Sequence, residues 1–300
     1  MKYSTHRRLA IIIFTVTLCF AAMILAVSMT LNSRGSSDPA GGLRFGKRLA
    51  VVRLEGEIFD AAWHAEQLRG YRLSNNVAGV LLRVDSPGGA VAPSQELYNE
   101  VAAYMADGKP LVVSMGNVAA SGGYYVSAPA YKIFASPGTL TGSIGVIFSM
   151  PMYQELAKKV GVDFRTMKAG EMKDAGSPFR PMTDKESKYF QELLDDVHEQ
   201  FITDVAAGRG VDTAKVRALA DGRVLTGRQA AESGLIDTLG GFAEALRYLG
   251  DVCGVPESSK PIEKRPAVGW REFLFESAQR RVPGLGAFSR RAGLYYLLDM

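Results

Sequence analysis

Two polar residues in small-residue surroundings carry the strongest chemical signal in this sequence. Ser121 lies in the run Ala-Ala-Ser-Gly-Gly-Tyr-Tyr, residues 119–125, where alanine and glycine allow a substrate backbone to approach the hydroxyl closely. Lys173 lies 52 residues later, in the run Met-Lys-Asp-Ala-Gly-Ser-Pro-Phe. A serine beside a lysine that is buried enough to be neutral forms a nucleophile–base pair that needs no histidine. The pair predicts nucleophilic attack on a carbonyl group.

The identity of the base is open on the residues alone. A free lysine has a pKa of about 10.4, so its amine is charged near neutral pH and cannot accept a proton. Burial against apolar groups disfavours the ammonium form and turns the amine into a base. Lys168, five residues before Lys173 in the same segment, is the rival candidate. Because most lysines in loops are solvated, neither residue is singled out by its position.

Hydrolysis of an amide also needs hydrogen-bond donors for the developing oxyanion. The run Asp-Ser-Pro-Gly-Gly at residues 85–89 follows an apolar stretch and precedes a helical pattern. Glycines in such a turn can point main-chain N–H groups outward, which would make half of an oxyanion hole. A plain strand-to-helix turn is the alternative interpretation of this run, and close packing is the alternative for the glycines after Ser121.

Short apolar runs alternate with helical patterns from residue 48 onward, which predicts a layered α/β domain with a mostly parallel sheet. The predicted strands are Arg48–Leu54, Gly79–Val84, Pro110–Met115, Lys132–Ala135 and Ser143–Phe148. The predicted helices are Ser94–Met105, a long amphipathic helix over Asp184–Gly208 that starts with a Thr183–Glu186 capping box, and a helix from Thr226 to a glycine stop at Gly234. His198 lies just off the apolar stripe of the long helix, which favours a structural or solvent-facing role.

The first residues predict a membrane anchor. Leu9–Leu31 is a stretch of 23 residues without charge, and at about 1.5 Å per residue it spans a hydrocarbon core of roughly 30 Å. It is longer than the apolar part of a cleaved signal peptide, so we expect a single transmembrane helix that is retained. The basic flank before it predicts a cytoplasmic N-terminus and an exported, periplasmic-side domain at the cell (inner) membrane. We therefore divide the chain into an anchor (1–31), a flexible Ser/Gly-rich tether (32–47), a catalytic domain (48–250) and a basic tail (251–300).

Charge and composition exclude several classes of function. Residues 1–48 hold seven Lys/Arg and one Asp, so the remaining residues carry 28 Lys/Arg against 30 Asp/Glu. This balance gives no reason to expect a nucleic-acid partner. The three histidines lie in distant segments, so neither a metal site nor a cofactor is expected. The end of the tail, Arg271–Met300, predicts a helix that binds a membrane surface or a partner, or a docking helix with a solvated basic side.

Together, the motifs around residues 85–89, Ser121, Ser143 and Lys173 resemble the signal peptide peptidase A family of membrane-anchored serine proteases. The resemblance covers residues 48–245 and implies a Clp-protease/crotonase-like layered sheet with helices. It implies that Ser121 is the nucleophile, that Lys173 is the general base, and that Ser143 orients the lysine amine. It also implies that the N–H groups of Gly88 and Gly122 form the oxyanion hole.

The single copy of the motifs resembles the short bacterial form of this family. That resemblance implies a homo-oligomer whose neighbouring protomers complete each other's sites, with remnant signal peptides and other unfolded apolar peptides as substrates. The close alternatives are a membrane serine protease that processes a stomatin-like or other membrane-protein partner, and a phage capsid-maturation protease of the same fold. A crotonase-type acyl-CoA enzyme and an inactive peptide-binding scaffold are alternatives from other classes.

Overall fold

The computed structural model describes residues 46–264 and 295–297. The predicted anchor and nearly all of the tether lie outside the described residues. No helix within the described residues is both long enough and apolar enough to cross a membrane.

A mostly parallel sheet forms the framework of the domain. Its strands are β1 (Arg48–Glu55), β2 (Val77–Ser86), β4 (Leu111–Ala120), β5 (Lys132–Ala135), β6 (Leu140–Gly142), β7 (Val224–Thr226), β8 (Thr238–Leu239) and β9 (Ile262–Glu263). Six of them lie in the order β7-β6-β4-β2-β1-β9. The strand β5 also pairs with β4, and β8 pairs with β5. All pairs are parallel except β6–β7. Two further strands, β3 (Gly88–Ala90) and β10 (Tyr295–Leu297), form a separate antiparallel pair.

Helices cover both faces of the sheet. They are α1 (Ala62–Leu73), α2 (Val91–Ala106), α3 (Gly122–Ser127), α4 (Gln154–Lys159), α5 (Asp184–Arg209), α6 (Thr213–Arg217), α7 (Gly227–Ser233) and α8 (Phe242–Cys253). Alternate residues of β1 face opposite cores: Val52 lies in the larger core with α1, α2, α3 and α5, and Val51 lies in the smaller core with α8. Burial on both faces explains why β1 and β2 are continuous apolar runs in the sequence. The layered α/β fold predicted from the sequence is confirmed.

The predicted helix boundaries follow from capping chemistry that the structure contains. Thr183 and Glu186 form a reciprocal capping box at the start of α5. Thr226 forms the same arrangement at the start of α7, which ends at Gly234 in the left-handed conformation. These local rules explain why the bounds of α5 and α7 were predicted within a few residues.

Three sequence-based expectations differ from the structure. Ser143–Phe148 is not a strand, because Gly142 and Ser143 both have positive φ and turn the chain away after β6. The predicted C-terminal helix is not found at residues 295–297, which form β10 instead. The strand predicted to end at Met115 continues to Ala120. Within it, Gly116 leaves space for the side chain of Asp85: a Cβ at Gly116 would lie 2.5 Å from Cγ of Asp85.

Candidate active site

The predicted site residues gather at the carboxyl ends of neighbouring parallel strands. Gly88 follows β2, Ser121 follows β4, and Ser143 follows β6. Because β2–β4 and β4–β6 are parallel pairs, these three ends meet at one edge of the sheet. That edge is where open α/β sheets bind their ligands.

Ser121 occupies a strained turn between β4 and α3. Its φ is +51° and its ψ is −116°, a conformation that costs a non-glycine residue of the order of 1–3 kcal/mol. Its N–H donates to the carbonyl of Gly142 over 2.8 Å, and its own carbonyl accepts from the N–H of Tyr125 over 2.8 Å. The residue is 1% exposed, and among the described residues its Oγ has no hydrogen-bond partner. The fold therefore holds this hydroxyl in place and leaves it unpaired.

The small residues around Ser121 are required by close approach of other chain segments. A Cβ at Gly122 would lie 2.7 Å from Oγ of Ser94, and one at Gly123 would lie 2.8 Å from the carbonyl oxygen of Ser86. Real Cβ atoms do not approach other atoms that closely. The Ser-Gly-Gly run thus serves both the packing and the chemistry.

Gly88 and Gly122 lie next to each other, and Gly122 directly follows Ser121. Gly88 has φ +104°, and a Cβ there would lie 2.7 Å from the nitrogen of Gly122. The N–H of Gly122 begins α3, so it has no acceptor within its own helix. The N–H of Gly88 donates to Oγ of Ser86 over 3.1 Å. The N–H of Gly122 is therefore available to an oxyanion, whereas the N–H of Gly88 is already hydrogen-bonded to Oγ of Ser86.

Ser143 shares the unusual backbone of Ser121. These two are the non-glycine residues with positive φ among those that the structure describes, with 51° for Ser121 and 52° for Ser143. Ser143 is buried, and its N–H donates to the carbonyl of Arg223 over 2.9 Å. The residue lines a cleft of about 480 Å³, whose wall also includes His198 and Leu297. Backbone strain of this kind clusters at functional sites.

Among the described residues, no hydrogen bond joins Lys173 to Ser121. Lys173 belongs to a 3₁₀ turn at Glu171–Asp174, where its side chain is exposed. Within the described part of one chain, neither Lys173 Nζ nor Ser121 Oγ makes a hydrogen bond. Lys168, the rival base, donates to the carbonyl of Glu171 over 2.7 Å and forms an ion pair with Asp174. Lys168 is thus engaged within its own segment, whereas Lys173 is available.

An ionic network holds the segment that carries Lys173. Arg180 donates from Nε to Oδ2 of Asp174 over 2.9 Å and pairs with Glu186, whose side chain is only 4% exposed. Hydrogen bonds from Arg180 and Lys168 hold the pKa of Asp174 well below its usual range. Hydrogen bonds from Arg180 and Thr183 lower the pKa of Glu186 to about 2. Both carboxylates are charged at neutral pH and anchor the turn to the start of α5.

One further contact, that of β10 with this site, has no signal in the sequence. Tyr295–Leu297 lies against Gly88–Ala90, and the carbonyl oxygen of Tyr296 lies next to Gly88 and Gly122. His198, expected to be structural or solvent-facing, is half-buried in the wall of the cleft beside Ser143. The sequence predicts a helix for this part of the chain, and nothing in the run Tyr-Tyr-Leu indicates that it pairs with β3.

The chemistry of the site follows from these positions. A serine at a strained strand-to-helix turn beside backbone N–H groups is the geometry of a serine hydrolase. Over residues 46–264 and 295–297, no three His, Cys, Asp or Glu side chains come together as metal ligands.

Comparison with known proteins agrees with that class. The sequence profile of peptidase family S49 matches residues 103–255, and the chain belongs to this family of serine peptidases. A relative from Enterococcus faecium, provisionally named a signal peptide peptidase SppA, is 44% identical over 61% of this chain and 53% of its own length. A provisionally named protease from Methanocaldococcus jannaschii is 35% identical over 82% of each chain.

Other relatives are much longer than this chain. Protease 4 of Haemophilus influenzae is 35% identical over 66% of this chain, and the match spans 34% of its own length. The match with the Enterococcus faecium relative spans about half of that protein. Among solved structures, a mutant of ClpP1 from Listeria monocytogenes matches 65% of this chain and 94% of its own, with 18% identity and a TM-score of 0.44.

Proposed function

We propose that this chain is an endopeptidase in which Ser121 is the nucleophile and Lys173 is the general base. The observation that carries the proposal is the buried, strained and unpaired Ser121 hydroxyl beside Gly122. Ser121 Oγ attacks the scissile carbonyl while the neutral amine of Lys173 takes its proton. The N–H groups of Gly122 and Gly88 stabilise the tetrahedral oxyanion.

The intermediate collapses to an ester of Ser121, and the leaving amine takes the proton from the Lys173 ammonium. Water then hydrolyses the ester and restores the serine. The hydroxyl of Ser143 orients the lysine amine in both steps. When substrate binds, the N–H of Gly88 releases Oγ of Ser86 and donates to the oxyanion instead.

We propose further that Lys173 acts in a site of a second copy of the chain. In support, Ser121 Oγ and Lys173 Nζ are both unpaired within the described residues of one protomer. The segment before Lys173 also exposes several large apolar side chains: Met152, Tyr153, Leu156, Val160, Val162, Phe164 and Met167. An exposed apolar patch of this kind is typical of an interaction surface. Covering it with a second copy removes water from Lys173 and favours the neutral amine.

The proposed substrates are released signal peptides and other unfolded apolar peptides, and the proposed location is the exported face of the cell membrane. Two observations support these proposals: the 23-residue apolar stretch at Leu9–Leu31 and the similarity to a relative named signal peptide peptidase. An extended peptide fits the site because the main-chain edge of β3 pairs with an extended backbone, as it does with β10.

The test is covalent labelling of the full chain in detergent with a fluorophosphonate probe, together with hydrolysis of a fluorogenic signal-peptide sequence. We expect labelling at Ser121 and hydrolysis by the wild-type protein, and neither by Ser121→Ala. A wild-type oligomer that neither labels nor cleaves would favour a peptide-binding scaffold. Cleavage of a folded membrane protein but not of the peptide would favour the partner-processing protease.

A further inference from the structure

The edge of the sheet opposite the candidate active site is basic. The strands β1, β2, β4 and β5 pair in that order and run parallel, so their first residues meet at one edge, here called the amino edge. Lys47 directly precedes β1, Lys109 lies just before β4, and Lys132 begins β5. Ser121 follows the other end of β4, and the ten residues of that strand span about 30 Å. The amino edge and the nucleophile therefore lie on opposite sides of the domain.

A cleft of about 550 Å³ opens at the amino edge. Lys47, Lys109 and Tyr131 line it. The remaining lining is largely apolar and consists of Ala78, Met105, Gly108, Pro110, Val252 and Cys253. Apolar walls beside two positive charges suit an amphiphile with an anionic head, such as an anionic phospholipid.

The two lysines of the cleft have no carboxylate partner in the part of the chain that the structure describes. Asp107, which is near Lys109 in the sequence, pairs instead with Arg72 over 2.9 Å. Lys109 Nζ donates to the carbonyls of Arg72 and Ser74 over 2.8 and 2.7 Å, which leaves a third N–H for another acceptor. Burial and the nearby charge of Lys47 lower the pKa of Lys109. An anion bound by both lysines offsets that repulsion.

Exposed apolar side chains lie beside these charges. Leu73 is 68% exposed, Tyr131 is 52% exposed and Val252 is 44% exposed. Leu73 lies between the two residues whose carbonyls accept from Lys109, while Tyr131 and Val252 line the cleft itself. This mixture matches the boundary of a bilayer, where tyrosine lies at the level of the head groups and lysine reaches the phosphates.

The chain enters the domain at the amino edge. Residue 46 is the first that the structure describes, and β1 begins at Arg48. Residues 32–45 join this point to the predicted anchor, which ends at Leu31. A Ser/Gly-rich chain of about 15 residues has a root-mean-square end-to-end distance of about 20 Å. An anchor in the membrane therefore keeps the amino edge, rather than the far end of β4, near the lipid head groups.

We propose that the amino edge docks on the anionic surface of the bilayer, with a lipid phosphate bound between Lys47 and Lys109. The inference rests on the membrane location in the proposed function. Docking in this orientation directs Ser121 away from the bilayer, because about 30 Å of β4 separates the two edges. The site then receives peptides that have left the membrane, and not segments that still span it.

The test places one fluorophore on the full-length chain in lipid vesicles. The chain has two cysteines, so Cys19→Ser and Cys253→Ala allow a single bimane label at Val252→Cys in the cleft. The matched position is Glu55→Cys, at the exposed last residue of β1. The quencher is a nitroxide on the lipid head group, in phosphatidylcholine vesicles with or without added phosphatidylglycerol. We expect strong quenching at position 252 but not at position 55, and only in the anionic vesicles.

Charge variants test the two lysines. Each lysine near an anionic surface contributes roughly fivefold to binding, so Lys47→Gln should lower the ratio of docked to free domain about fivefold, and Lys47→Gln with Lys109→Gln about 30-fold. Lys47→Gln is the cleaner variant, since Lys109 also donates to two carbonyls. Lys188→Gln removes an exposed charge from α5, so it is the matched control and should leave quenching unchanged. Lys47→Gln and Lys188→Gln should both hydrolyse peptides in detergent like the wild type.

The outcomes separate this inference from the proposed function. Equal quenching in the two kinds of vesicle, or unchanged quenching in Lys47→Gln, contradicts docking on anionic lipid and leaves the protease intact. Stronger quenching at position 55 than at position 252 places the active-site edge against the bilayer and contradicts the inference in the same way. A label at position 252 that is shielded from a water-soluble quencher but not quenched from the lipid indicates a protein partner instead and also contradicts it. Absence of both peptide hydrolysis and probe labelling in detergent overturns the proposed function itself.

Discussion

Gly88→Ala tests the position of the oxyanion hole most sharply. The new Cβ would lie 2.0 Å from the oxygen of the Tyr296 carbonyl, whereas real Cβ atoms stay at least 3.0 Å from such atoms. A carbonyl in the site must therefore retreat by about 1 Å, and a displacement of that size costs roughly 100-fold in rate. A carbonyl displaced in this way also loses a hydrogen bond from the oxyanion hole, and the loss of one such bond costs roughly 10²–10³-fold. We expect kcat/KM for a fluorogenic peptide to fall by about 10³-fold.

The matched control is Gly108→Ala. Gly108 has φ +76° and nothing within 4 Å of a Cβ built at that position, so it shares the positive φ of Gly88 without the steric contact. Gly108→Ala should lower the free energy of unfolding by about 1–3 kcal/mol through strain. Gly88→Ala should lower it further, because its Cβ would also lie 2.7 Å from the nitrogen of Gly122. Only Gly88→Ala should lose activity and probe labelling. If Gly88→Ala keeps more than about a tenth of wild-type kcat/KM, the substrate carbonyl does not lie beside Gly88.

Three further predictions concern the base and the segment that holds it. A lysine base predicts activity that rises from pH 7 to 9.5, and a flat profile counts against it. The carboxylates of Asp174 and Glu186 have a lowered pKa, so they stabilise their segment above about pH 4 and lose this effect only as pH falls toward 2. These two carboxylates therefore cannot produce an alkaline rise. Arg180→Ala should reduce kcat/KM by roughly tenfold or more by displacing the Lys173 segment, while Lys158→Ala, which breaks an exposed ion pair in the same region, should change it less than about twofold. Ser143→Ala should lower kcat by roughly 10–100-fold with little change in KM and with partial rescue by threonine; an unchanged kcat would remove Ser143 from the mechanism.

Much of the fold could be predicted because its signals are local. The strands β1 and β2 are apolar on both faces, and a capping box marks the start of α5. The predicted strand Pro110–Met115 is shorter than β4, which continues through Gly116, where the absence of a side chain admits Asp85 from the neighbouring strand. When a glycine is required by the packing of a residue that is distant in sequence, the local sequence does not reveal the reason for it.

The same distinction applies to the site. The sequence indicates Ser121 through its small flanking residues, and the parallel order of β2, β4 and β6 brings Gly88 and Ser143 to the same edge. The contact between Tyr296 and Gly88 joins residues 208 positions apart, and no local pattern predicts it. The position of Lys173 relative to Ser121 depends on neighbouring protomers in the proposed mechanism, so one chain cannot determine it.

Mixing two inactive full-length variants, Ser121→Ala and Lys173→Ala, tests the proposed mechanism at its centre once they are dissociated and reassembled together. Each variant alone should be inactive. If each site takes its serine from one protomer and its lysine from the next, an equal mixture should recover about a quarter of the wild-type peptidase activity, because one adjacent pair in four is complete. An inactive mixture that assembles like the wild type would contradict sharing between protomers. Full activity of Lys173→Ala alone would contradict the Ser121–Lys173 mechanism itself.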